Sequence, residues 1–166
     1  MSFPRYPAYK DSGVEWLGEV PAHWESWKVA HAFGRVGSGT TPPTNESQWY
    51  DGGSVPWVTT GELRESVITE TSKLVTPEAL ERFSALRLYP AGSLAVAMYG
   101  ATIGRLGILG VPATTNQACC VLSEARTLNT RFVYFWLAGL KQTIIDLYAT
   151  GGGQPNINQD VITGLR

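Results

Sequence analysis

The chain has 166 residues, 43% of them hydrophobic and 11% aromatic, which is enough for one packed domain and too little for two good cores. Thirteen basic residues against fourteen acidic ones leave a formal charge of −1, which excludes a histone-like polycation and argues against an intrinsically disordered chain. No apolar run approaches the roughly 18 residues of a membrane span, and the opening MSFPRYPAYKDSGVEW carries prolines and charges where a signal peptide would be apolar. Six Trp and seven Tyr exceed the needs of ordinary core packing, which leaves a binding surface open for some of them, and composition does not separate the two uses. The only cysteines, Cys119 and Cys120, are adjacent and so form neither a disulfide framework nor a two-ligand metal spacing. They are expected to be small buried hydrophobes of a strand in a reducing, cytoplasmic setting.

Residues 1–26 read as an N-terminal arm, with Tyr6, Tyr9, Trp16, Leu17, Trp24 and the adjoining Trp27 as anchors separated by Pro, Gly and charge. A short helix is expected over 27–36, where Val29, Ala32, Phe33 and Val36 keep helical spacing, ended by Gly37 and Gly39. Residues 37–54 have neither period and are rich in Gly and Pro, a long and therefore functional surface loop. VPWVTT at 55–60 reads as a strand whose Pro56 favours its start or an edge. Thr76-Pro77 opens a helix over roughly 77–84. SLAVAMY, the glycine-punctuated GATIGRLGILG and ACCVL at 118–122 make a strand-rich middle. A long helix covers 129–148, capped by Asn129 or Thr130, with an expected apolar stripe of Phe132, Phe135, Trp136, Leu140, Thr143, Ile144 and Leu147. Gly151–Gly153 break it, as a simple helix terminus or as a flexible loop. The amide-rich tail continues as a loop and then a strand or short helix. Helices at the edges and strands in the middle define an α+β fold rather than a doubly wound sheet.

Charge is unevenly spread. Residues 1–81 hold eleven acids and six bases, whereas 82–166 hold three acids and seven bases, so the near-neutral total conceals a more positive second half. Catalytic signals are weak: His23 and His31 are the only histidines, both in the arm and first-helix region, and there is no GxSxG elbow, HExxH helix or Walker sequence. GATIGRLG at 100–107 misses the dinucleotide-binding spacing, and Asp51, Glu62, Asp146 and Asp160 show no diagnostic separation. A surface of amides, hydroxyls and glycines remains, with arginine and aromatics nearby. Such groups suit base edges and phosphates, and they equally suit sugar or peptide.

The order of motifs is more specific than any one of them. YKDSGVEWLGEVPAHW (9–24), GSGTTPP (37–43), WYDGGSVPWVTTGEL (49–63), YPAGSLAVAMYGATIGRLGI (89–108), ATTNQACC (113–120) and GGGQPNINQDVITGLR (151–166) together resemble the specificity subunits of type I restriction-modification systems. The resemblance covers nearly the whole chain and implies a single target-recognition domain over 27–166, preceded by the arm. Its implied function is recognition of one half of a bipartite DNA sequence, directing methyltransferase and endonuclease subunits, with no catalytic residue in this chain. S-adenosylmethionine would belong to the modification (methyltransferase) subunits, and ATP and magnesium to a restriction (translocase) subunit; double-stranded DNA would be the ligand, with no membrane involved. Family members usually continue after QDVITGLR into a proline-containing strand and a long spacer helix, so a chain stopping at Arg166 is expected to be a truncated subunit.

On that resemblance the DNA-facing candidates are Thr40, Thr41, Asn45, Thr59, Thr60, Tyr99, Thr102 and Arg105, with Asn116, Gln117, Gln154, Asn156, Asn158 and Gln159 as a second group. Asn116 and Gln117 are either base readers or structural amides. Arg105 is the foremost phosphate or base contact, its alternative being a surface arginine on a strand. Trp57 is assigned to the core; Trp49 and Tyr50 stack on a ligand or pack inside. The alternatives are a non-enzymatic carbohydrate- or peptide-binding module, in which Trp49 and Trp57 line a narrow uncharged pocket, and a small hydrolase using His23 or His31.

Overall fold

A computed structural model of the chain describes residues 5–14, 16–151 and 155–166. The chain opens with a small antiparallel ribbon, β1 (Tyr9–Asp11) against β2 (Glu19–Pro21). The expected helix over 27–36 is only half right: α1 (Val29–Ala32) makes one turn, and Phe33–Ser38 is strand β3. Four helical residues gain little alone, because nucleating a turn is costly. From Phe33 onward the backbone instead satisfies its hydrogen bonds along β10 (Cys119–Ala125), in a register from Phe33↔Ala125 to Ser38↔Cys120.

The sequence reading holds for β4 (Val55–Val58), α2 (Pro77–Arg82), β7 (Leu94–Ala97), β8 (Leu106–Leu109), α3 (Thr130–Tyr148) and α4 (Gln159–Gly164), whereas β5 (Ser66–Ile68), β6 (Leu74–Val75) and β9 (Thr114–Thr115) are short strands that the sequence reading did not mark. The Thr76 hydroxyl accepts from Ala79 N, and Asn129 Oδ1 accepts from Arg131 N, so both expected caps are used. Pro56 sits in β4 beside β6 only, because β9 begins its pairing with β4 at Trp57. A missing N–H costs least at such a half-paired position. The 37–54 loop is interrupted by a 3-10 turn at Ser47–Trp49.

Two mixed sheets result, ordered β3-β10-β7-β8-β5 and β6-β4-β9; β5/β8 and β4/β9 are parallel and the other pairs antiparallel. This is an α+β fold with a strand-rich centre and flanking helices. Strand alternation divides the large sheet between two cores. Leu94, Val96, Cys120 and Leu122 join Val133, Leu137 and Ile144 of α3, while Ala95, Ala97, Cys119 and Val121 join Val58, Leu63 and Tyr89 on the opposite side. A third cluster holds Trp57, Val75, Ala79 and Leu86, with Trp49, Tyr50 and Phe83 packed on it. The two cysteines therefore face opposite layers, and burial pushes both thiols up to about 12, with Glu62 and Cys120 adding to the effect at Cys119. They are inert packing groups, as a strand position implies.

The face of α3 differs in part from the expected stripe, of which Trp136, Leu140 and Ile144 do pack on the core. The side chains on the sheet are Val133, Leu137 and Ile144, with Leu140 partly buried, whereas Phe132, Phe135 and Leu147 are exposed. Sequence spacing supports two apolar stripes on this helix. The sheet takes the one whose branched aliphatics fit against Leu94, Val96 and Leu106. Trp136 packs partly buried against this core and also faces Trp16, ring centroids 6.4 Å apart, and with Phe132, Leu17, Trp24 and Trp27 it lines an apolar groove of about 320 Å³.

Candidate nucleic-acid interface

The sheet registers bring distant loops to one end of the fold. Because Ser38 pairs with Cys120, Ala97 with Cys119 and Leu106 with Val96, strands β3 and β7 leave the large sheet where β10 and β8 enter it. The second sheet ends there too: Asn116 N donates to the Val58 carbonyl at 3.0 Å, and Cys119 N donates to the Asn116 carbonyl at 3.4 Å. Residues 39–41, 59–62, 98–105 and 116–118 thus gather at this end. The tail joins them, since Gly100 N donates to Pro155 O at 3.1 Å, Ile157 N donates to Met98 O at 2.9 Å, and Tyr99 bridges Asn156.

Within this cluster several candidate side chains are committed to one another. The Thr41 hydroxyl donates to Gln117 Oε1 at 2.7 Å, and Gly39 N donates to the Thr115 hydroxyl at 3.1 Å, which couples two segments 76 positions apart. Asn116 Oδ1 accepts from Ala118 N at 3.1 Å, so its oxygen shapes a turn. Thr40 offers its carbonyl to the Trp57 indole N–H at 3.2 Å, and the Thr102 hydroxyl donates to Tyr99 O at 3.1 Å. Asn156 is held by the Thr150 hydroxyl at 3.2 Å and by a backbone bridge to Thr150. Thr60 lies in a 3-10 turn at Thr60–Glu62, half-buried; Tyr99 is exposed and Arg105 half-buried. Asn158 caps α4 by accepting from Val161 N at 2.9 Å, leaving Gln159 in the first turn. Asn45 stands apart in an exposed turn closed by Glu46 N to Pro43 O, and Gln154 lies outside the described residues.

Two further residues shape this end, and sequence reasoning missed them. Glu62 accepts from the backbone N–H and hydroxyl of both Thr59 and Ser72, so one carboxylate ties residues 59–62 to the 69–73 loop. The Thr59-x-x-Glu62 pattern is a capping-box signature that flags this reach-back. Burial raises the carboxyl's pKa, but the bonds from Ser72 and Thr59 outweigh it and hold it below its usual value. Because the folded pKa lies below the unfolded one, this contribution is complete above the unfolded pKa and is lost as pH falls through the folded pKa. Glu62→Gln is therefore expected to destabilise the domain at neutral pH, the gap to wild type closing in acid. Denaturant unfolding of both proteins across the acid range checks it; a pH-independent gap would contradict it. Arg64, directly after this knot, is exposed and donates from Nε to Gly61 O at 3.0 Å.

Positive charge at this end comes from Arg64, Arg105 and Lys141; Lys141 lies 3.8 Å from Glu65 and packs beside Gly104. Arg64 and Arg105 each precede one of two joined residues, Glu65 N donating to Leu106 O at 2.9 Å. The histidines are elsewhere: His23 lies tilted against Tyr6 at 5.3 Å and His31 stands edge-on to Trp27 at 6.5 Å. Among the described residues neither makes an ion pair or hydrogen bond to an acid or hydroxyl, and no three His, Cys, Asp or Glu residues group as metal ligands. Trp57 is buried, as assigned, and Trp49 packs edge-on against Phe83 at 5.2 Å, so these aromatics serve the third core cluster.

A mixed α+β core with a loop-built polar end matches a known class. Residues 23–165 fit the profile of the type I restriction modification DNA specificity domain, and the chain belongs to that family. It is 24% identical over 157 residues, 92% of its length, to the specificity subunit of the Escherichia coli type I restriction enzyme EcoR124I/EcoR124II. It is 32% identical over 122 residues, 72% of its length, to the MjaIX specificity subunit of Methanocaldococcus jannaschii. The crystal structure of the HsdS subunit from Thermoanaerobacter tengcongensis shares the fold, with a TM-score of 0.64 at 11% identity over 95% of this chain. The chain spans 37% and 27% of the two relatives' lengths and 34% of that solved chain.

Proposed function

We propose that this chain recognises one half of a bipartite DNA target and delivers that choice to the methyltransferase and endonuclease subunits of a type I restriction-modification complex. The observation that carries the proposal is the gathering of residues 39–41, 59–62, 98–105, 116–118 and 155–157 at one sheet end in a member of the DNA specificity family. Hydroxyls and amides of this cluster are restrained by mutual hydrogen bonds, which lowers the entropy of presenting them to a duplex. Arg105 supplies charge for phosphate contacts that position the domain, while exposed groups such as Tyr99 and the Gln117 amide nitrogen face base edges. Chemistry is assigned to the partners: a methyltransferase subunit would extrude the target base, and this domain would hold the distorted duplex beside it. The burial of Trp57 and the packing of Trp49 on Phe83 weigh against a sugar- or peptide-binding pocket lined by those rings.

The test is selection of pooled random duplex DNA by the purified chain over a series of salt concentrations, with the retained pool sequenced. A short enriched motif is expected, with affinity falling linearly on a log–log salt plot in proportion to the phosphates neutralised. Retention without any motif would leave only phosphate binding and would refute sequence recognition by this chain.

A further inference from the structure

We infer that Arg64 is a specificity-determining residue that reads a guanine in the major groove, an inference that rests on the DNA-recognition reading. It follows from how the backbone on each side of Arg64 is fixed. Before it stands the turn at Thr60–Glu62, locked by the four bonds that Thr59 and Ser72 give to the Glu62 carboxylate. After it stands Glu65, a non-glycine residue held in the left-handed region with φ +53°. That conformation is costly and persists only where the surroundings over-determine it. Here they do so from three directions: Glu65 N donates to Leu106 O at 2.9 Å, the Tyr134 hydroxyl donates to Glu65 O at 2.8 Å, and Lys141 pairs with the side chain at 3.8 Å. A strand and the long helix thus clamp the residue that follows an exposed arginine.

The side chain is fixed as well. Nε donates to Gly61 O at 3.0 Å, which orients the guanidinium plane relative to the locked turn. Among the described residues no carboxylate or carbonyl takes its two terminal nitrogens, and Glu62 and Glu65 are engaged elsewhere. What remains is an end-on fork of parallel donors, at the rim of an open polar groove of about 620 Å³ shared with Thr59, Ser66, Thr69 and the carboxylates of Glu62 and Glu70. A planar donor pair matches the N7 and O6 acceptors of guanine, and a fixed plane selects for that coplanar pair. A phosphate contact would need only charge, which a freely moving side chain supplies equally well.

Arg64→Ala and Arg64→Lys, carried through random-duplex selection beside the wild type, test this. Arg64 is exposed, so both variants are expected to melt with the wild type. The expected result is loss of a guanine preference at one position of the motif, a roughly tenfold to hundredfold drop in affinity for the wild-type motif, no rescue by lysine, and an unchanged salt slope. Uniform weakening across all sequences, with the slope reduced by about one and lysine restoring most binding, would make Arg64 a phosphate contact and overturn the inference. An unchanged motif in both variants would overturn it while leaving the DNA-recognition reading intact. Failure of the wild type to enrich any motif would overturn both.

Discussion

Gly39→Ala is expected to lower the unfolding free energy by about 3 kcal/mol, because the added methyl has no space. A Cβ at Gly39 would lie 1.7 Å from the Thr115 carbonyl oxygen and 2.5 Å from its carbon. Both atoms are backbone, so no side-chain rotation relieves the clash. The main chains of residues 39 and 115 must separate, breaking the Gly39 N–H bond to the Thr115 hydroxyl and straining the Thr41–Gln117 bond beyond it. Overpacking costs about 1–3 kcal/mol, and losing a buried hydrogen bond adds about 1 kcal/mol. For a chain of this size that corresponds to a fall of about 10 °C in Tm. Gly139→Ala provides the contrast: it lies mid-helix in α3 with nothing within 4 Å of a new Cβ, and alanine there is expected to stabilise by about 0.5–1 kcal/mol. Calorimetric melting of the two variants checks both signs, and a Gly39→Ala protein melting with the wild type would refute the close approach.

Leu137→Ala is expected to cost about 3 kcal/mol, whereas Phe135→Ala, two positions away on the same helix, should stay within about 0.5 kcal/mol. Leu137 is 4% exposed and belongs to the cluster with Leu94, Val96 and Leu106; Phe135 is 69% exposed. Truncating Leu137 removes buried methyl groups and leaves a cavity between helix and sheet, which the close-packed strand side chains fill only in part. Truncating Phe135 removes a ring that touches Tyr134 edge-on at 5.2 Å and otherwise meets solvent. Denaturant unfolding of the pair decides the orientation of α3. A larger loss for Phe135 would mean that the helix presents its aromatic stripe to the sheet.

The site shows a similar division. Thr40, Thr41, Thr59, Thr60, Tyr99, Thr102, Arg105, Asn116, Gln117 and Asn156 are adjacent in space, and their motifs were visible as separate glycine- and hydroxyl-rich stretches. That Thr41 holds Gln117 and that Asn116 turns its oxygen onto Ala118 depends on strand register, which no local pattern encodes. Arg64 escaped notice because it sits between two acids in sequence, and only the fold shows Glu62 and Glu65 turned to other partners.

The sequence alone determined the α+β class, the caps at Thr76 and Asn129, the buried strand around Cys119 and Cys120, and the family, through motifs in order along nearly the whole chain. These are local or composition-borne signals: a cap needs only its own turn, and alternating apolar residues mark a strand wherever it pairs. Only the tertiary structure decided that Phe33–Ser38 is a strand, which of two apolar stripes on α3 meets the sheet, and which polar loops share one end of it. In each case two local conformations or faces satisfied the sequence about equally. The choice fell to contacts with residues far away in the chain, the β10 hydrogen bonds for β3 and the shape of the sheet's inner face for α3.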